Sequence, residues 1–308
     1  MTRSEPPIRQ DTNPTPDHEA AWHRFWAQGQ PQAGGGCLPA RWAPIERAQA
    51  AAWRTFAAGL PSGASVLDLA TGDGRVLMML RADREDLVAT GVDFAPRLPA
   101  PPPGVTLRGG IRMEQLPFED ASFDAVTSQF GFEYGDPAAI AMEIARVVKP
   151  AGIVGLLVHR GDGPILAHNL ARSEQIAFAL DGPTLTDADL TEDRFAQTLR
   201  EAEDHVAAAI EAFGQASVAW EISEAFRRSV VLVQALDAEQ AAIAVRRIRE
   251  EATAERARIA SLAAACRTAD DQDGLDQAFT AAGLRLADRS PVVVEGAAIA
   301  DLLTLYPR

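Results

Sequence analysis

The sequence predicts an α/β protein: a doubly wound, mostly parallel sheet of six to seven strands, carrying a helical insertion after the fifth strand. Three observations predict it. Short apolar runs alternate with helical patterns between residues 66 and 158, and two of those runs end in an acid, Asp68 and Asp93. A turn with two glycines, Gly72 and Gly74, follows the first run and opens an apolar helix. From about residue 163 to 269 the pattern is wholly helical, and strand signals return only afterwards.

The elements follow in order. Residues 18–28 form a short helix with Trp22, His23, Phe25 and Trp26, broken by Gly34-Gly35-Gly36. A longer helix runs from Pro44 to Leu60, with Ile45, Ala52, Trp53, Phe56 and Leu60 at helical spacing, and Pro61-Ser62-Gly63 ends it. The first strand begins at Val66; the helix Val76–Leu80 leads to a second strand, Leu87–Val92. Pro96, Pro99 and Pro101-Pro102-Pro103 then remove backbone donors where a helix would stand, so a stiff loop connects to the third strand, Val105–Arg108. The fourth strand is Ser122–Ser128; a helix and the stop Lys149-Pro150-Ala151-Gly152 precede the fifth, Ile153–Val158. Helices at Pro164–Leu180, Glu192–Phe213, Ala216–Leu236 and Glu239–Thr268 fill the insertion. A helix at Leu275–Ala282, strands at Leu284–Asp288 and Val292–Glu295, and a final helix from Ala297 to Tyr306 close the chain. The expected organisation is a disordered tail over 1–17, leading helices and α/β core over 18–162, the insertion over 163–269, and completion of the core over 270–308.

Composition narrows the function. No apolar run approaches the ~20 residues that cross a bilayer, and the first sixteen residues carry no apolar signal core, so the expectation is a cytoplasmic protein with no membrane partner. A formal net charge of −14 opposes a phosphate backbone, which argues against a nucleic-acid partner. Cys37 and Cys266 match no metal spacing, the five histidines are scattered, and no metal is expected. The insertion, leaving the sheet at its carboxyl edge, is expected to act as a lid over a small-molecule pocket or as a homodimerisation arm.

Asp68 carries the chemical argument. Glycines after a strand let a backbone approach a ligand, and the following helix offers unpaired N–H groups. A dinucleotide fingerprint would want a third glycine and would place a pyrophosphate here, which a carboxylate repels. A carboxylate suits instead a cofactor bearing an ammonium or sulfonium group. Asp93, one βα unit later, is placed to accept ribose hydroxyls. Together with Leu116-Pro117-Phe118 before the fourth strand and Lys149-Pro150-Ala151-Gly152 before the fifth, these motifs have the order and spacing of a known family. Over residues 60–160 the chain resembles the class I S-adenosylmethionine-dependent methyltransferases, nearest to the type of the ubiquinone and menaquinone C-methyltransferases and related small-molecule enzymes.

The resemblance implies a Rossmann-like methyltransferase sheet, S-adenosyl-L-methionine as cofactor, and a small organic methyl acceptor. It implies that Asp68 and the turn Ala70, Thr71, Gly72 and Gly74 hold the methionine end, that Asp93 takes the ribose hydroxyls, and that Phe94 lies against adenine. Backbone groups at Ser128 and Gln129 would meet the methionine ammonium, with Phe130 and Phe132 walling the pocket. Two positions depart from the family pattern: Ala70 replaces a glycine, and Arg112 replaces the acid that bonds the adenine amino group. Arginine has no acceptor, so adenine recognition passes to the backbone around Met113. Rival readings are an aminopropyl transfer or rearrangement using the same cofactor, and a non-catalytic cofactor-binding subunit.

Methyl transfer from sulfur is an in-line displacement, so alignment and exclusion of water dominate and a base serves only an acceptor that must lose a proton. The carboxyl ends of strands four and five present Glu133, Tyr134, His159 and Arg160. His159 is the leading candidate base, since an imidazole exchanges protons near neutrality; Glu133 and Tyr134 follow, and Arg160 could anchor a substrate carboxylate. The chain lacks the Asn/Asp-Pro-Pro-aromatic motif for planar amines and a Pro-Cys nucleophile for cytosine.

Overall fold

The structure is a computed structural model that describes residues 43–182, 194–232 and 238–308. The expected tail, the helix at 18–28, the triple glycine and Cys37 lie outside the described residues.

The first described helix, α1 (Ala43–Ala58), precedes β1 (Ser65–Leu69), α2 (Arg75–Arg81), β2 (Val88–Val92), β3 (Val105–Arg108) and β4 (Phe123–Gln129). A 3-10 turn at Phe132–Tyr134 leads to α3 (Pro137–Val147) and β5 (Val148–Val158). No helix stands between β2 and β3, where the prolines are. The described helices α4 (Pro164–Leu180), α5 (Phe195–Phe213), α6 (Val218–Leu232) and α7 (Ala238–Asp270) follow β5. The chain ends with α8 (Gln272–Ala281), β6 (Leu284–Val294) and β7 (Ala297–Pro307).

The strands make one seven-stranded sheet in the order β3-β2-β1-β4-β5-β7-β6, parallel from β3 to β5 and antiparallel at β7 and β6. The direction of winding reverses between β1 and β4, the point at which doubly wound sheets open a crevice at their carboxyl edge. Alternation assigns the two faces. Leu67, Leu69, Val126, Val154, Leu156 and Val158 join Ile140 and Ile144 of α3 and Leu275 and Phe279 of α8 in one apolar cluster. The opposite face takes α1, whose Phe56 lies so close over Gly155 that a Cβ there would come within 2.7 Å of its ring. Trp53, fully buried, meets Phe56 edge to face at 5.7 Å. Asp136 caps α3 by accepting from the backbone N–H groups of Ala138 and Ala139, with Pro137 in the first turn.

Three expected readings are corrected. β5 begins at Val148, so the expected stop Lys149-Pro150-Ala151-Gly152 lies inside the strand instead of before it. Ala297–Tyr306 is not a helix: β7 covers Ala297–Pro307 and inserts between β5 and β6. Glu295 and Gly296, at φ 50° and 84°, make the two-residue hairpin turn that matches strand twist. A run rich in alanine and leucine favours a helix locally, but pairing on both edges and burial of Ile299, Leu303 and Leu305 outweigh a preference of a few tenths of a kcal/mol per residue, ~0–0.7 on the usual scale. The strand expected over Leu284–Asp288 and that over Val292–Glu295 are one strand, and Pro291 is tolerated because β6 is a sheet edge.

The chain divides into two compact units: 1–165 with Ser261–Arg308, and Leu166–Ala260. The second has cores of its own. Ile176 packs with Ala252 and Ile259, Arg172 pairs with Glu255, and Ala202, Phe226, Val230, Ala241 and Val245 cluster together. Among the described residues, no helix is long and apolar enough to cross a membrane.

Candidate active site

The carboxyl end of β1 delivers Asp68 into the sheet interior, 1% exposed. Its Oδ1 accepts from the Thr127 hydroxyl at 2.7 Å, across to β4. Its Oδ2 is buried with no hydrogen-bond partner among the described residues, and so is the Thr71 hydroxyl. Burial raises the Asp68 carboxyl from the ordinary 3.8 to about 7; the nearby hydroxyls of Thr127 and Thr71 offset only part of that. A buried acceptor without a partner costs about 1–3 kcal/mol, more if charged.

The turn after Asp68 is held from the second strand. Thr71 N–H donates to Val92 O at 2.9 Å, and Gly72 N–H donates to Asp93 Oδ2 at 2.9 Å. Asp93 Oδ1 accepts from the Ala95 N–H at 2.9 Å, so the acid at the end of β2 also organises the two loops beside it. Ala70, Gly72 and Gly74 all have positive φ, 53°, 54° and 77°. Ala70 thus adopts the left-handed conformation of the glycine it replaces, at a cost of about 1–2 kcal/mol. Its methyl group has a counterpart: a Cβ on Gly131 would come within 2.3 Å of it, so the turn and the segment after β4 touch there.

These features fit the cofactor that the sequence implies. Asp68 Oδ2 and the Thr71 hydroxyl, buried without a hydrogen-bond partner among the described residues, belong to a glycine turn at a sheet's carboxyl edge, and a bound ammonium would give Asp68 Oδ2 a donor. Phe94, expected against adenine, carries the guanidinium of Arg112 over its ring at 4.8 Å. Arg112 also approaches Glu114 at 3.7 Å, so the departure from the family's acid places a cation on the aromatic surface. Met113 packs against the core cluster. The Leu-Pro-Phe loop is pinned from α3: Leu116 N–H donates to Glu143, and Arg146 donates to the carbonyls of Leu116 and Phe118.

The end of β4 separates two roles that the sequence joined. The Gln129 carboxamide oxygen accepts from the Trp53 indole N–H at 2.6 Å, and its amide donates to Gln49 at 3.5 Å. Its side chain is thereby committed to α1, and only its backbone is left to face a ligand. Ser128 Oγ donates to Leu69 O and accepts from Phe132 N–H, stitching β4 to β1 and to the 3-10 turn. Phe132, expected as a pocket wall, is fully buried against Phe279 at 5.7 Å and belongs to the core.

The catalytic candidates converge. β5 ends at Val158, and His159 follows it, 7% exposed. Glu133 Oε1 accepts from the His159 backbone N–H at 2.9 Å and lies 2.7 Å from its Nδ1. Phe130, a non-glycine residue at φ 55°, stacks on the imidazole at 4.1 Å, and Tyr134 meets it edge-on at 5.9 Å. Arg160 is not directed to a ligand: it pairs with Asp162 at 2.8 Å and with Asp301 of β7 at 2.8 Å, so the expected carboxylate anchor is a structural ion pair. Cys266 is buried, its thiol pushed up to about 12 chiefly by burial and then by the charges of Glu133 and Asp270. Among the described residues, no group of three or more metal-ligating side chains occurs.

Residues 67–156 match a family model described as a methyltransferase domain. A ubiquinone/menaquinone biosynthesis C-methyltransferase of Bdellovibrio bacteriovorus is 34% identical over 107 residues, which are 32% of this chain and 46% of that one. A demethylmenaquinone methyltransferase of Thermus thermophilus is 36% identical over 95 residues, 28% of this chain and 43% of that one. The chain thus spans about half the length of the curated relatives it matches. A solved SAM-dependent methyltransferase of Thermotoga maritima is 19% identical, covers 51% of this chain and 69% of its own, and has a TM-score of 0.37.

Proposed function

We propose that the chain, whose residues 67–156 match a methyltransferase domain, transfers a methyl group from S-adenosylmethionine to a small organic acceptor. The observation that carries this reading is the pair of buried groups without a hydrogen-bond partner among the described residues, Asp68 Oδ2 and the Thr71 hydroxyl, at a glycine turn flanked by Asp93. Asp68 and Thr71 would hold the ammonium end of the cofactor, Asp93 the ribose hydroxyls, and Phe94 with the backbone near Met113 the adenine. The cofactor supplies a methyl group on a positively charged sulfur.

The protein aligns an acceptor behind that methyl group and keeps water out, which is where most of the acceleration of a displacement arises. His159, beside Phe130 and Tyr134, is the residue that would take a proton from the acceptor. A small acceptor is favoured over nucleic acid by the net charge of −14.

Titration calorimetry with S-adenosylhomocysteine tests the cofactor assignment, and product analysis with candidate acceptors tests the reaction. Asp93→Ala should weaken binding strongly, since each bond to a charged group contributes about 1.5–3 kcal/mol. It also releases the Gly72 and Ala95 N–H groups, so the loss should exceed that of the ribose contacts alone. Unchanged affinity in this variant would remove the ribose assignment, and tight NAD binding by the wild type would remove the cofactor assignment.

A further inference from the structure

We propose that Glu133 is the positioning residue of His159: it fixes the imidazole with its proton on Nδ1 and its lone pair on Nε2, so that the site accepts a proton from the methyl acceptor. The proposal rests on the methyl-transfer reading above and names its requirement, an acceptor group that is protonated before transfer and not after.

The geometry is that of one oxygen serving two donors. Glu133 Oε1 receives the backbone N–H of His159 at 2.9 Å and stands 2.7 Å from Nδ1, within the range of a charge-assisted bond. The same Oε1 that accepts the backbone N–H faces Nδ1, so as an acceptor it places the ring hydrogen on Nδ1 and leaves Nε2 as an acceptor. The ring has little freedom to turn away, because Phe130 covers one face at 4.1 Å and Tyr134 abuts its edge. Phe130 holds that place at φ 55°, a conformation that side-chain-bearing residues adopt at a cost, with its N–H donating to Leu157 O at 2.8 Å.

Burial makes the carboxylate useful for more than orientation. Glu133 is 2% exposed, and its Oε2 has no partner among the described residues. A carboxyl group so placed favours a cation beside it, and the imidazolium produced by proton uptake is that cation. Cys266, which feels the Glu133 carboxyl, stays a neutral thiol, and Asp270, on the same helix as Cys266, is engaged with the Gly161 N–H. The pair is also next to the cofactor turn: Gly131, which follows Phe130, abuts Ala70. In the step, the acceptor atom bonds to the methyl carbon as the carbon–sulfur bond breaks with its electron pair left on sulfur. The acceptor's proton passes to Nε2 and then to solvent.

Nitrogen-15 NMR of the histidine side chains in the S-adenosylhomocysteine complex tests this directly, with His159→Asn identifying the His159 signals among the five histidines. At pH 8 His159 should show the Nδ1–H tautomer. Glu133→Gln, which can still accept both bonds, should keep that tautomer, whereas Glu133→Ala should show a mixture of both. A wild-type His159 with its hydrogen on Nε2, or still an imidazolium at pH 8, overturns the proposal, as does an unchanged tautomer in Glu133→Ala. If Glu133→Ala does not fold, the wild-type spectrum decides alone. Calorimetry on the same samples separates the two readings: failure of the wild type to bind S-adenosylhomocysteine sinks the cofactor assignment, while binding with the wrong tautomer sinks only the role of Glu133.

Discussion

Asp68 is a carboxyl group whose charge the fold suppresses until something cationic arrives. Its pKa of about 7, against an ordinary 3.8, means that the folded protein without cofactor keeps a proton that the unfolded chain has already released between those two values. This group therefore favours the folded state at low pH, and its contribution is lost as pH rises from about 4 to about 7. An ammonium at Oδ2 favours the ionised form, so binding must expel the proton wherever the group was protonated. At pH 6, S-adenosylhomocysteine binding should release protons, detectable as a dependence of the calorimetric heat on the ionisation enthalpy of the buffer. Affinity should rise with pH up to about 7 and level above it, and Asp68→Asn should remove both effects while raising the melting temperature more at pH 8 than at pH 5. Proton-neutral binding at pH 6 would show that the ammonium does not meet Asp68.

At the scale of elements, the turn after β1 and the segment after β4 touch through Ala70 and Gly131. Gly131 lies outside the left-handed region, at a φ of −130°, and its lack of a Cβ gives the space this contact requires. Gly131→Ala would bring a Cβ to 2.3 Å from that of Ala70 and 2.9 Å from Ser128 Oγ. Overpacking of this kind costs about 1–3 kcal/mol, and here the strain falls on the cofactor turn. S-adenosylhomocysteine affinity should fall about tenfold or more in Gly131→Ala and recover in part when Ala70→Gly is added, a coupling that independent sites would not show. This contact was not legible in the sequence, where the two residues are far apart and each is merely small. What was legible is what local patterning dictates: α4 over Pro164–Leu180, the end of β5 at Val158, and the proline loop before β3. The failures are tertiary. β7 reads as a helix because its alanines and leucines favour one, and only the gap between β5 and β6 makes it a strand. Glu133 and His159 read as rival bases because nothing in a linear chain shows that one holds the other.

For the whole molecule, chain order separates cofactor from acceptor. The implied cofactor residues, from Asp68 to Gln129, all precede the end of β5, and they belong to the unit formed by residues 1–165 and Ser261–Arg308. Leu166–Ala260 is a second compact unit with its own apolar clusters and the Arg172–Glu255 pair. In chain order it interrupts the core between β5 and α8, and β6 and β7, which follow it, complete the sheet. We therefore propose that this unit selects the acceptor and leaves cofactor binding to the core. Replacing Leu166–Ala260 with a short flexible linker lengthens no strand and removes none, so the sheet order should survive, and circular dichroism with thermal melting can establish that it does. The change in connection length itself costs little, because loop-closure cost varies only as the logarithm of length, about 0.6 kcal/mol per doubling. The shortened protein should bind S-adenosylhomocysteine within about threefold of the parent, a change of at most about 0.7 kcal/mol at ~1.4 kcal/mol per tenfold. Turnover on the acceptor identified for the full chain should be lost. A shortened protein that folds, binds cofactor and methylates that acceptor at the full rate would place acceptor recognition in the core and leave the helical unit with another task.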